Sequence, residues 1–129
     1  MVPGTCSTYN VIYLVCCKLC SGCYVGRSVR TLKIRIGEHR RAFYHILLGK
    51  AFDDDDDDYS IGMHLAHEHG LKNNCDFTNN IDVCIIDNCS HKLLEVRENK
   101  FIHLLQTLRP MGMNSANPFG LAILNPHFE

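Results

Sequence analysis

Two tyrosines, an arginine–histidine pair and a lone carboxylate are the residues whose types and spacing suggest chemistry in this chain. Tyr13 and Tyr24 each sit in a short β-rich run, residues 11–16 and 23–26. A Ser21-Gly22 turn between the runs predicts an antiparallel hairpin carrying one phenol on each strand. Strand tyrosines most often serve packing, so by themselves they say little. Arg35 and His39 are four residues apart, which puts them on one helix face, a turn from each other. A structural salt bridge is the plain use of that arginine. A phosphate clamp is the sharper one, because guanidinium donors match phosphate oxygens bidentately. Glu98 falls on an apolar helical line with Leu94, Phe101, Leu105 and Leu108. A carboxylate there costs on the order of several kcal/mol unless it is paired or binds a metal. A pair with Arg35 is the structural use, and a divalent cation the functional one.

The chain also has eight cysteines, four of them within residues 16–23, and histidines at His64, His67 and His69. Residues 1–10 lack the basic and apolar regions of a secretory leader, so a disulfide scaffold is not the expectation. Cysteine pairs with histidine pairs point instead to zinc. Cys6, Cys84 and Cys89 read as ordinary buried or surface thiols.

The elements that must hold these residues follow from periodicity. Leu32, Ile36, His39 and Phe43 recur at helical spacing, with Ser28 or Thr31 as cap and Gly49 as stop. Residues 60–70 predict a short helix ended by glycine, and residues 73–80 a polar loop. Residues 81–87 read as a third strand, and Ser90 caps a last helix to about residue 107. The order β-β-α-(α)-β-α in 129 residues implies a single small α/β (α+β) domain: a three-stranded antiparallel sheet flanked by helices. Residues 1–10 form an N-terminal extension, 11–117 the domain and 118–129 a tail.

Charge adds a partner class. The net charge is −1, but six of the 14 acids stand together at residues 53–58. Those six repel one another and bury nothing, which predicts a disordered acidic insertion. Residues 18–50 carry eight basic residues against one acid, Glu38. Such a segment suits a polyanion, and Arg27, Arg30, Lys33, Arg40 and Arg41 are its candidate DNA contacts. No apolar run reaches the ~18 residues of a membrane span, so no membrane partner is expected.

The stretch N-V-I-Y-L-V-C-C-K-L-C-S-G-C-Y-V-G-R-S-V-R-T-L-K-I-R-I-G-E-H-R resembles the GIY-YIG nuclease family, and within it the endonuclease domain of Penelope-like retroelements. Val11-Ile12-Tyr13 stands at the first motif and Tyr24-Val25-Gly26 at the second; R-E-N-K-F-I puts Glu98, and L-R-P-M-G-M-N puts Asn114, at the family's later positions. Val11 replaces the first motif's glycine, which is not a reacting group. The resemblance implies hydrolysis of a DNA phosphodiester. Tyr13 would be general base, its pKa lowered by Arg35 and the local positive field. Arg35 would bind the scissile phosphate, and Tyr24 and His39 would position phosphate and water. Glu98 would hold Mg²⁺ or Mn²⁺, and Asn114 would brace the site. It also implies a structural zinc on Cys17, Cys20, His64 and His69, with Cys16, Cys23, His67 and Cys75 as plausible substitutes. A nuclear location follows, and the chain would be either a piece of a longer polyprotein that includes a reverse transcriptase domain or a solitary derivative of one. Two other classes share parts of the pattern. One is a catalytically inactive DNA-binding relic, and the other a zinc-stabilised protein-interaction domain.

Overall fold

The computed structural model describes residues 4, 5, 7–52 and 56–115. Expectations for Cys6, residues 53–55 and the tail 118–129 lie outside the described residues. Strand β1 (Val11–Cys17) is the centre of a three-stranded antiparallel sheet. It lies between β2 (Cys23–Ser28) and β3 (Ile81–Asn88). The mixed α/β class and the three-stranded antiparallel sheet are as the sequence predicts.

Alternation along β1 gives the sheet two apolar faces. Val11, Tyr13, Val15 and Cys17 enter the larger core, with Tyr24, Leu32, Phe43, Ile61, Leu65 and Phe77. Ile12 and, more peripherally, Leu14 turn to the smaller core beside Val25, Leu94 and Ile102. Helix α1 (Leu32–Leu47) covers the first face and α4 (Leu94–Leu105) the second. Thr31 caps α1 by accepting the Ile34 N–H, so the threonine of the two candidate caps is the one used.

Between α1 and β3 the chain makes several short turns. A 3₁₀ turn (Asp57–Tyr59), α2 (Ser60–Met63) and a π turn (His64–Glu68) run end to end, and Gly70 follows at φ +65°. The acidic insertion is therefore not wholly a loop. Asp56 accepts the Asp58 N–H and starts a turn, because a short acidic side chain satisfies an orphan donor there. The predicted loop at 73–80 contains α3 (Asp76–Asn79), anchored by buried Phe77 against Phe43 at a ring separation of 6.0 Å.

The last helix keeps the predicted stripe at Leu94, Glu98, Phe101 and Leu108 but departs from the prediction at Ser90 and Leu105. A 3₁₀ turn (His91–Leu93) precedes α4, and the Ser90 side chain makes no capping bond. Its buried line runs at a spacing of four through Leu94, the mostly covered Glu98 and Ile102, so Leu105 falls off it and is 47% exposed. Gln106, left-handed at φ 53°, ends the helix. The chain then returns along the outer edge of β2.

Candidate active site and metal centre

Tyr13 and Gly26 are directly opposed across β1 and β2. The Tyr13 ring lies over that glycine so closely that a Cβ there would stand 2.2 Å from Cζ. The glycine of the Tyr24-Val25-Gly26 run is thus the space in which the first phenol lies. Tyr24 enters the same core from β2, and His39 reaches it from α1. The ring centroids are 6.2 Å apart for the two tyrosines, 5.9 Å for Tyr13 and His39, and 5.2 Å for Tyr24 and His39.

The Tyr13 hydroxyl and His39 Nε2 are 2.6 Å apart, and His39 Nδ1 lies 3.3 Å from the Asp58 carbonyl. A carbonyl only accepts, so Nδ1 carries the hydrogen and Nε2 accepts from the phenol. Burial beside Arg35 holds the His39 pKa down at about 4, so the imidazole is neutral at physiological pH. Burial also pushes both phenols well above their ordinary value. This corrects the expectation for Tyr13. Arg35 does pull its pKa down, but desolvation of a fully buried phenolate outweighs that pull.

Arg35 borders both phenols, and its charge acts on Tyr13, Tyr24 and Glu98. Its guanidinium donates to Asp58 at 2.6 Å and to Glu38 at 3.1 Å. Glu98 faces this group from α4, its side chain 14% exposed, and bonds Arg27 at 3.3 Å. The partner is therefore Arg27 rather than Arg35. Burial is the main reason the Glu98 carboxyl is pushed up to about 7, against the lowering by Arg27. Asn114 ties the returning chain to β2. Its side-chain amide accepts the Val25 N–H at 2.8 Å and donates to the Val25 carbonyl at 2.9 Å, imitating a further strand on β2. Thr107 donates to the same amide oxygen.

The basic residues divide between two grooves. Arg27, Arg30 and Arg35 line a groove of about 310 Å³ with Lys92, His91 and Glu95. Lys33 and Arg40 border another, more apolar groove with Leu32, Ile36 and Val83. Arg41 is exposed on α1. Arg30 bonds Glu38 and Arg27 bonds Glu98, so the groove's arginines are held by carboxylates.

The metal-ligating side chains meet at the turn end of the hairpin. The ligand atoms of Cys17, Cys20, His64 and His69 all lie within 4.8 Å of one another. Cys20 Sγ is 3.2 Å from His64 Nε2, which is 3.1 Å from His69 Nε2. A tetrahedral zinc with bonds of about 2.0–2.3 Å needs ligand separations of about 3.3–3.8 Å, so this cluster is of the right size. In an α-helix residues five apart point about 140° away from each other. The π turn winds with i→i+5 bonds and brings His64 and His69 to one side. Leu19 and Gly22 donate N–H groups to the Cys17 and Cys20 sulfurs, and Glu68 stands 2.6 Å from His64 Nδ1. Those outer contacts orient a ligand set. Among the described residues Cys16, Cys23, His67 and Cys75 are not part of the cluster. Cys16 is on the opposite face of the sheet from Cys17.

Sequence reasoning missed Asp58 on Arg35 and His39, Glu38 on Arg30 and Arg35, Glu68 behind His64, and Lys92 in the basic groove. Only Glu38 carried a signal, being three residues after Arg35 on the same helix. Comparison with family models, curated proteins and solved structures finds no match to this chain.

Proposed function

We propose that the chain is a metal-dependent endonuclease domain that nicks DNA, stabilised by a zinc ion on Cys17, Cys20, His64 and His69. The observation that carries this reading is the gathering of Tyr13, Tyr24, Arg35, His39 and Glu98, from both hairpin strands and both long helices, into one interacting cluster whose Arg35 also lines the basic groove. The resemblance to Penelope-like elements adds a nuclear setting and a reverse transcriptase as neighbour in a longer polyprotein.

Arg35 binds the scissile phosphate, exchanging Asp58 for a phosphate oxygen. Tyr13 takes the proton of the attacking water as it passes its own to His39 Nε2, the acceptor already in place at 2.6 Å. His39 is suited to that task because it is neutral, and the Asp58 carbonyl fixes its tautomer. Tyr24 orients the phosphate, and Arg27, Arg30 and Lys92 hold flanking backbone. Glu98 suits a hard cation that keeps most of its waters, since it offers a single carboxylate. Mg²⁺ or Mn²⁺ held there would supply positive charge to the leaving oxygen.

A second reading is favoured by one observation: the Tyr13 side chain is 0% exposed and Arg35 is covered by two carboxylates. A catalytically inactive DNA-binding module would keep that closed arrangement. Plasmid nicking with Mg²⁺ separates the two. Glu98→Ala and Tyr13→Phe are each expected to slow nicking by about 10²–10⁴. Binding without nicking by the parent chain selects the inactive module, and equal nicking by all three discards the assigned site.

A further inference from the structure

The sheet face opposite the tyrosines carries a pair of thiols that neither the active-site reading nor the zinc reading uses. Cys16 on β1 is directly opposed to Cys23 on β2, so the two side chains leave the sheet on the same side. The phase of the ladder decides how close they come. The Cys17 N–H bonds the Gly22 carbonyl. The Cys23 carbonyl accepts from Met113, and Val25 bonds the Asn114 side chain, so the backbones of both residues are directed away from β1. Cys16 and Cys23 therefore form a non-hydrogen-bonded pair, the register position where side chains approach most closely, with Cα atoms about 4.5 Å apart. That separation lies within the roughly 4.4–6.8 Å a disulfide spans. The Cys23 thiol donates to the Ser21 carbonyl at 3.7 Å, and both thiols are half-buried and within reach of a small reagent. Cys84 is the nearest rival, but it is opposed to Leu14, one register step pair away from Asp82 opposite Cys16.

We propose that Cys16 and Cys23 form a redox-active dithiol, a modification site oxidised by small-molecule disulfides of the glutathione class. Either thiolate attacks one sulfur of the oxidant, breaks its S–S bond and releases one molecule of thiol. The second protein thiolate attacks the protein sulfur of the mixed disulfide, forms the Cys16–Cys23 bond and releases the other. Two electrons pass from the pair to the oxidant, and the two protons leave with the two released thiols. The product fastens β1 to β2 next to Tyr24 without touching Cys20, His64 or His69.

The test is titration of the purified, zinc-loaded chain with oxidised glutathione, reading free thiols, intact mass, peptide linkage by fragmentation, and zinc released. The expected result is loss of two thiols with no glutathione adduct, a Cys16–Cys23 linkage and retained zinc. C23S should lose that linkage and show a glutathione adduct at Cys16 instead. C20S lacks the rival Cys17–Cys20 pair and should still lose two thiols, so the result is readable even if the chain takes up no zinc. A linkage between Cys17 and Cys20 or between Cys16 and Cys84 overturns the proposal. So does a C23S variant that still loses two thiols without an adduct, or a parent that forms adducts alone.

Discussion

Tyr13 and His39 hold one proton between them across 2.6 Å, and the site's pH behaviour follows from where that proton rests. The imidazole pKa is near 4 and the phenol lies above its ordinary value, so the hydrogen stays on oxygen in the free protein. His39 also affects stability. Its folded pKa is below the ordinary 6.5, so the unfolded chain takes up a proton first, and stability falls as the pH drops from 6.5 towards 4. Glu98 acts in the opposite sense. Its folded pKa is near 7 against an ordinary 4.5, so the folded state holds a proton the unfolded state has lost, and stability rises as the pH drops from 7 to 4.5. The two contributions oppose each other in the same window. Parent stability between pH 6.5 and 4.5 is expected to change little, whereas Glu98→Gln should lose about 2–3 kcal/mol over that range as His39 titrates uncompensated. Urea unfolding without added magnesium at the two pH values checks this, and parallel curves for parent and variant would refute the balance.

At the scale of elements, the turn after α1 is the part that lies on Arg35 and His39. Asp56 starts the turn, Asp57 Oδ1 accepts from Ser115 at 2.5 Å, and Asp58 engages Arg35 by its carboxylate and His39 by its carbonyl. A carboxylate bound to the guanidinium occupies the donors a phosphate would use. Asp58→Asn keeps the carbonyl and the turn but removes the charge. Its affinity for a short DNA duplex at low salt should rise about two- to fivefold, the range of a partly exposed ion pair. An unchanged dissociation constant would show that Asp58 does not compete. The π turn has a comparable part in the metal centre, because only its winding brings His64 and His69 together. Chelation of a zinc-loaded chain is then expected to lower the melting temperature. Zinc at a thousandfold its Kd contributes about 4 kcal/mol. His69→Ala should show little further loss on chelation, and a chelator without effect on the parent would remove zinc from the account.

For the molecule as a whole, a net charge of −1 hides a division between one acidic turn and one basic groove. Arg27, Arg30, Arg35 and Lys92 are the groove's permanent cations. If each meets one phosphate of a duplex, the logarithm of the binding constant should fall with the logarithm of salt at a slope of about −3 to −4. Lys92→Ala should weaken binding evenly across sequences and reduce that slope by about one. Fluorescence anisotropy across a salt series measures both, and an unaltered slope would move the DNA track away from the start of α4.

The sequence by itself determined the three strands and the two long helices. Period-two alternation in Val11–Cys17 and helical spacing from Leu32 to Phe43 are local properties, so the sheet, α1 and the depth of Tyr13 and His39 were legible. Cys17, Cys20, His64 and His69 were named as a ligand set through the resemblance, with Cys16, Cys23, His67 and Cys75 left as substitutes; the π winding that brings His64 and His69 to one side selects among them. Tertiary structure alone decided the partners: Arg27 for Glu98, Asp58 for Arg35 and Asn114 for Val25 join residues from separate elements. It also decided the phenol's acidity. Proximity of Arg35 was readable as a lowering, but the cost of placing a phenolate where no water reaches depends on what packs around it from every side, and that sum exists only once the chain has closed on itself.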